Sequence, residues 1–541
     1  MTTLFLILIV VVILTCIWLN NISSRIGIPT LLAFIVLGIV FGNVGAIPVY
    51  LDNHAFAKET CTVALIAIMF YGGFGTRWEA VRPVVREAGL LASAGVIVTA
   101  GLTGLFCRFA LGWDWGESFL LGAVVSSTDA ASVFSILRSK RLGLKNNTAP
   151  MLEMESGSND PFAYMLTAVM MSVVNGTASG GSVAWMLFAQ LAFGAGCGWG
   201  IARLAVLALR RMDFSTEGFD TLFIFAVAIA SYAVPDLIGG NGYLSAYIVG
   251  ILLGNEDFKG KKAMVGFFDG FTGLMQVLIF FMLGLLARPT ELHQTILPAM
   301  AVFAVMLLAA RPAAVFGILT PFGKYSAKQQ ALISFVGLRG AASIVFAIMA
   351  VTGTTALEHD FFNIVFCLVL ISIALQGSLI PFAARKLDMI DADTDVMKTF
   401  NDYSENTDMQ FGRIDIGPDS TWNGRQIMEL GLPRNILIAL VLRGGERIQP
   451  RGNTLLQEGD QVITISRSFE DSDTFLKEKT VKPGGKLDGI RLADYPGKGL
   501  VVMIRRGEEN LIPGGDTVLA GGDTLILLTL KRGSGISGRS G

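Results

Sequence analysis

The densest chemistry in the chain is a run of ten residues, Glu153-Met154-Glu155-Ser156-Gly157-Ser158-Asn159-Asp160-Pro161-Phe162. Ser-Asn-Asp-Pro ahead of an apolar run is by itself a helix start with proline just inside it. Length argues otherwise, because Pro161 to Val174 falls short of the roughly 20 residues a bilayer requires. A helix that begins near Ala149 does cross, and it carries Glu155, Asn159 and Asp160 inward, with Glu155 over Asn159 and Ser156 over Asp160. Pro161 has no N–H and so frees the carbonyl of Gly157. One turn then offers two carboxylates, an amide, a hydroxyl and a carbonyl, all hard oxygen ligands suited to an alkali cation or a proton.

A second polar interruption, Ser126-Ser127-Thr128-Asp129, divides the apolar run from Leu120 to Phe134. A carboxylate at membrane depth costs on the order of 2.5 to 3.5 kcal/mol, which points to function. The structural alternative is a polar helix junction that satisfies its own freed backbone groups, and both hold if the broken helix also binds an ion. A buried acid needs a proton or a cation. Arg339, in Gly337-Leu338-Arg339-Gly340, either neutralises one of these acids or snorkels to the rim. Pairing it with Glu155 leaves Asp160 free to exchange. Arg108 and Arg311 lie nearer the ends of their apolar runs and read first as snorkelling.

These residues need a membrane to position them. The chain has 541 residues, 52% hydrophobic and only 16% charged, with a mean hydropathy of +0.59. That charge density excludes a single water-soluble enzyme. Thirteen apolar runs, from 3–19 to 361–384, fill the first 387 positions, so the termini lie on opposite sides. The first run lacks a basic leader and a cleavage site and reads as a retained helix. Alternate loops hold fifteen Lys and Arg, among them Arg77, Arg138, Lys145, Arg210, Lys261 and Lys324, and the other loops hold only Lys58 and Arg288. Basic residues favour the cytoplasmic side, so the N-terminus is expected outside and the tail in the cytoplasm. His54, His293 and His359 then fall in external loops, which leaves no intramembrane histidine relay. The five cysteines sit in apolar runs and read as packing residues. No basic stretch is interleaved with aromatics, so a nucleic-acid partner is not expected.

The halves repeat. Gly38 and Gly42 recur as Gly250 and Gly254, Phe70 and Gly73 as Phe281 and Gly284, and Ala130-Ala131-Ser132 as Ala341-Ala342-Ser343, all shifted by 211 or 212. Seven spans separate the copies, so they cross in opposite directions, as in secondary transporters. The expected fold class is therefore a polytopic α-helical membrane protein of thirteen helices, with inverted-topology repeats and two broken crossing helices.

Ser127-Thr128-Asp129, Glu155-Ser156-Gly157-Ser158-Asn159-Asp160, Phe70-Tyr71-Gly72-Gly73-Phe74 and Gly337-Leu338-Arg339-Gly340 together resemble the monovalent cation:proton antiporter-1 family, the sodium/proton exchangers of the NhaP and NHE kind. The likeness covers residues 1–387. It implies a homodimer in the inner membrane with elevator-like alternating access. It assigns cation and proton exchange to Asp160, orientation of the site to Asn159, the helix crossing to Thr128 and Asp129, ion coordination to Ser156, and a bridge to Glu155 and Arg339. The cation would be held by Asp160, Asp129 and Ser156.

After an acidic linker, 388–408, one unit occurs twice. Pro433, Arg443, Gly452, Thr454, Gly459 and Asp460 return 63 positions later as Pro496, Arg506, Gly515, Thr517, Gly522 and Asp523. Residues 409–470 and 471–532 are thus two copies, each with alternating strands, Gly-Asp turns and a short helix, forming a small α/β domain that resembles the TrkA-C (RCK-C) fold. Residues 533–541 read as a disordered terminus. No G-x-G-x-x-G follows a strand, so the tail is expected either to dimerise and stabilise, or to sense a cyclic dinucleotide or other small ligand. No cofactor is expected. The expected function is proton exchange for K⁺ or Na⁺, one for one, with K⁺ favoured by the tail. A regulated cation channel and a strictly Na⁺-selective exchanger are the alternatives. No nucleophile constellation suggests an enzyme.

Overall fold

The computed structural model describes residues 10–18, 30–44, 54–391 and 409–530, a few loop positions excepted. The expected linker beyond Asp391, the terminus 533–541 and the start of the first apolar run lie outside these. The chain divides into two units, residues 1–405 and 406–541.

The first unit is helical. In order it contains α1 (10–18), α2 (Thr30–Gly42), α3 (His54–Gly75), α4 (Trp78–Ala110), α5 (Trp115–Val124), α6 (Ala130–Ser139), α7 (Thr148–Val174), α8 (Gly180–Arg211), α9 (Phe219–Leu237), α10 (Gly242–Gly254) and α11 (Lys261–Leu286). It ends with α12 (Leu292–Phe322), α13 (Ala327–Phe335), α14 (Ala341–Gly353) and α15 (Phe361–Lys386). Among the described residues, seven of these helices are long and apolar enough to cross a membrane, and α2, α10 and α14 are shorter and equally apolar. Trp185, Trp199, Leu204 and Leu308 project outward, as side chains facing lipid do.

Helices approach closely where glycine permits it. Gly38 on α2 lies against Gly284 on α11, and a Cβ at Gly38 would sit 2.9 Å from the Cα of Gly284 and strike the Phe281 carbonyl. Gly250 on α10 lies in the same way against Gly73 on α3, with a Cβ facing the Phe70 carbonyl. Small residues at such crossings let backbones touch and gain dispersion contact without any hydrophobic drive between helices. The recurring glycines are thus each other's partners, in two separate crossings.

Two elements break in mid-course. Helix α5 ends at Val124 and α6 starts at Ala130, and α13 ends at Phe335 while α14 starts at Ala341. The extended stretches between them meet, with Asp129 N–H donating to the Leu338 carbonyl at 2.9 Å. Helix α7, by contrast, runs unbroken through Pro161, and Asn241 Nδ2 donates to the Pro161 carbonyl at 2.9 Å.

Three of the basic loops, those of Arg86, Lys145 and Lys324, gather where the chain leaves this unit. Strand β1 (Gly143–Leu144) pairs with β2 (Ile390–Asp391), Lys145 meets Asp388 at 3.0 Å, and Lys324 meets Glu87 at 2.6 Å. The residues after Asp388, expected to be linker, therefore begin as a strand tied to the helical unit, because the β1 backbone offers them partners. Away from these loops, Glu117 accepts from the His359 backbone N–H at 3.1 Å.

The second unit contains two four-stranded antiparallel sheets. One is ordered β3 (Met409–Asp415), β6 (Gln461–Arg467), β4 (Ile436–Arg443), β5 (Glu446–Ile448). The other repeats that order with β7 (Thr474–Thr480), β10 (Thr524–Leu530), β8 (Leu500–Arg506), β9 (Glu509–Leu511). Each is closed by the same device. Arg443 grips buried Asp460 through Nε at 2.7 Å and Nη2 at 2.8 Å, and Arg506 grips Asp523 at 2.8 Å through both nitrogens. The arginine also caps a carbonyl, Leu455 or Val518. Gly459 and Gly522 precede these aspartates with φ of 85° and 99°, which only glycine adopts without strain. The expected α/β character is corrected to β. Among the described residues the short helix of each copy is a single 3₁₀ turn, Ile427–Leu430 and Leu492–Asp494.

Candidate functional site

The break between α5 and α6 lies across the middle of α7. Ser127 Oγ donates to Asp160 Oδ1 at 2.5 Å. Thr128 N–H donates to Asn159 Oδ1 at 3.3 Å, and Asn159 Nδ2 donates back to Thr128 Oγ1 at 2.5 Å. Ser156 Oγ accepts from the Ala130 N–H at 2.8 Å and donates to the Thr128 carbonyl at 2.7 Å. These side chains supply what a broken helix lacks, since its last carbonyls and first amides have no intrahelical partners. Asn159 and Ser156 thus hold the break open, and Asp160 keeps the Ser127 hydroxyl as its neighbour.

Asp129 has a different task. It accepts from the Ser132 N–H at 3.1 Å and from the Ser132 hydroxyl, and its carboxylate lies beside Gly340 at the start of α14. It therefore caps α6 while standing at the first turn of α14, where two positive helix ends converge. Gly340 is a glycine for the same reason, because a Cβ there would collide with the Asp129 carboxylate.

The arginine expectation is corrected. Arg311 Nη2, not Arg339, meets Glu155, at 2.7 Å from Oε2, with both side chains at most 4% exposed. Arg339 instead donates through Nη1 to the carbonyls of Ser126 at 3.1 Å and Ser127 at 2.7 Å, covering the negative end of α5. Its own N–H donates to Ser372 Oγ at 3.0 Å. The crossing of the two breaks carries Arg339 over α5 and away from α7, while α12 brings Arg311 alongside. Arg311 does not snorkel. Its sequence signal was a cation inside a long apolar run, next to Pro312, and proximity to the end of that run masked it.

A cavity of about 360 Å³ reaches Asp160, Asp129, Thr128 and Ser156. Glu153, Asp269, Thr272 and Gln276 also line it, and spacing around Asp160 could not reveal the last three because they stand on α11. Among the described residues no Lys or Arg lines the cavity, so its field draws in cations and repels anions. Tyr247 lies close against Gly157, where a Cβ would fall 2.5 Å from the ring. Carboxylates and hydroxyls dominate the polar lining. The arrangement suits a weakly held monovalent cation that competes with a proton for one carboxylate.

Residues 9–386 match the sodium/hydrogen exchanger, transmembrane, family. The chain belongs to that family. This sodium/hydrogen exchanger family member is thereby a multi-pass membrane protein of the cation/proton antiporter class, and residues 412–466 and 476–533 each match the TrkA-C domain. It is similar to the K(+)/H(+) antiporter NhaP of Alkalimonas amylolytica, 35% identical over 84% of this chain and 79% of that one. The K(+)/H(+) antiporter NhaP2 of Shewanella sp. (strain ANA-3) is 31% identical over 83% and 79%. The helical unit shares its fold with the sodium proton antiporter MjNhaP1 of Methanocaldococcus jannaschii at pH 8, with a TM-score of 0.59 and 20% identity over 69% of this chain and 99% of that one.

Proposed function

We propose that the chain exchanges one proton for one K⁺ or Na⁺, with K⁺ favoured, at Asp160. The observation that carries this reading is that Asp160 faces the cavity while the other charged groups at the break and on its own turn of α7 are engaged elsewhere. Glu155 is paired with Arg311, Arg339 rests on carbonyls, and Asp129 caps α6 beside the start of α14. Of the acids at the break and on the α7 turn beside it, Asp160 is the one left to change state, so the cycle is electroneutral. Asp160, with Ser127 and the oxygens at the break, takes either a proton or the cation. A bare carboxylate crossing the membrane costs about 2.5 to 3.5 kcal/mol, which suppresses an empty crossing by roughly 10²-fold and couples the two fluxes. Asn159 and Thr128 orient the site, and Ser156 supports the break rather than competing for the ion.

In this reading thirteen spans form two inverted repeats. The matched glycine crossings and the two broken helices support it. Elevator motion carries α4–α7 and α12–α15, with the Glu155–Arg311 pair among them, past the remaining helices, within a homodimer in the inner membrane. The clustering of basic loops with the chain's exit supports a cytoplasmic tail and an external N-terminus. The K⁺ preference rests on the names of the relatives. The tail, 409–470 and 471–532, regulates transport and is the place for a cyclic dinucleotide or similar small ligand.

Reconstituted protein with a trapped pH dye, titrated separately with Na⁺, K⁺ and Li⁺, tests the reading. Cation-driven proton movement insensitive to membrane potential is expected, and it should vanish in a folded Asp160→Asn protein. Cation flux without proton counterflow would indicate a channel, and a response to Na⁺ alone would remove the K⁺ preference.

A further inference from the structure

Along α7 the cavity lies to one side of Asp160. Its lining on α7 runs from Glu153 to Asp160 and stops there. One turn further on, at i+4, stands Tyr164, and from there the structure is packed shut. The Tyr164 ring meets Tyr243 of α10 at 5.1 Å, and Tyr243 meets Tyr232 of α9 at 4.9 Å, both edge to face. Phe346 of α14 closes the group at 6.0 and 6.1 Å from Tyr164 and Tyr243. Tyr243 is wholly buried. Beyond Tyr232, again at i+4, comes exposed Asp236.

We infer that Tyr164, Tyr243, Tyr232 and Phe346 form the seal between Asp160 and the face opposite the cavity, and that the parted seal opens a cation path emerging beside Asp236. The inference rests on the antiporter reading and deepens it. Two of the rings stand on α7 and α14, which hold or flank the broken helices, and two on α9 and α10, so relative motion of these groups must separate them. Edge-to-face rings exclude water while packed. Three of the four carry a hydroxyl, and when separated they present oxygen to a hydrated ion where aliphatic side chains would present none. Burial falls away from Tyr243 toward Asp236, as it should along a path from closure to mouth.

The test uses full-length protein in proteoliposomes under an imposed pH gradient, with no transported cation present. Wild type should hold the gradient. Tyr243→Ala leaves a void large enough for water above an already open cavity and should collapse the gradient severalfold faster, whereas Tyr243→Phe, which keeps the ring, should hold it. Adding Asp160→Asn to Tyr243→Ala should restore tightness, because protons reach the seal through that carboxylate. If Tyr243→Ala does not yield folded protein, Tyr232→Ala is read in the same way. A tight Tyr243→Ala or Tyr232→Ala protein overturns the seal, as does a leak that ignores Asp160→Asn. Absence of cation-driven proton movement in wild type would instead overturn the antiporter reading.

Discussion

At the scale of single residues, the site spends its polar side chains on one another and leaves Asp160 facing the cavity with only the Ser127 hydroxyl on it. Ser156, which its position suggested as a ligand, has its hydroxyl engaged by Ala130 and Thr128. Ser127 takes the place beside Asp160. The Glu155–Arg311 pair is the structural counterpart, and its removal should separate stability from transport. Glu155→Gln leaves a buried guanidinium without its counter-charge, and breaking such a pair costs about 3 to 5 kcal/mol. Arg311→Met with Glu155→Leu removes both charges and should recover most of that stability. Thermal unfolding in detergent checks the order, expected to run wild type, double variant, single variant. A single variant as stable as wild type would show that the pair does not support the fold.

At the scale of elements, the helices are positioned by two devices, glycine crossings and caps at the breaks. Gly250 has no room for a methyl group against the Phe70 carbonyl and Gly73, so Gly250→Ala must push α10 from α3, and overpacking of this kind costs about 1 to 3 kcal/mol. Gly101 on α4 is open, since a methyl group there would meet nothing within 4 Å, so Gly101→Ala should be neutral or slightly stabilising through helix propensity. Melting temperatures of the two variants measure the difference, and equal values would mean that the crossings are loose. At the break, Gly340→Ala drives a methyl group into Asp129, and proteoliposome flux should fall sharply.

At the scale of the whole molecule, the tail's stability responds to pH in a calculable direction. Hydrogen bonds from Arg443 and Arg506 hold the carboxyls of Asp460 and Asp523 below the usual carboxylate range. A lowered folded pKa contributes stability that is complete above the unfolded value, about 3.9, and is lost as pH falls through the lower folded value. These pairs therefore stay intact between pH 8 and 5 and are not the source of a neutral-pH threshold. Arg443→Ala should speed hydrogen exchange in β4 and β6 by roughly 30-fold, for a loss of about 2 kcal/mol, and leave β8 and β10 unchanged. Equal exchange in the variant and wild type would show the pair to be dispensable. Because β2 pairs with β1, a tail truncation that spares the helical unit ends after Asp391, not before Asp388. That protein should keep its ion preference while its activation threshold shifts, as pH-dye assays with K⁺ and Na⁺ would report. A switch in ion preference would make the tail part of the selectivity mechanism.

The sequence by itself determined the apolar unit and the polar tail, the antiporter class, and the residues on α7 and at its neighbouring break that gather at the site. These follow from local quantities: apolar run length, a carboxylate where hydrocarbon is required, and i, i+4 spacing on one helix. Only the tertiary structure decided which arginine meets Glu155, which serine touches Asp160, that Asp269, Thr272 and Gln276 share the cavity, and that along α7 the cavity lies to one side of Asp160. Each of these depends on how separate helices cross, and spacing within one helix carries no information about the neighbour that will face it. Arg311 and Glu155 lie 156 positions apart, and it is the crossing of two broken helices that turns Arg339 toward carbonyls and leaves Glu155 to Arg311.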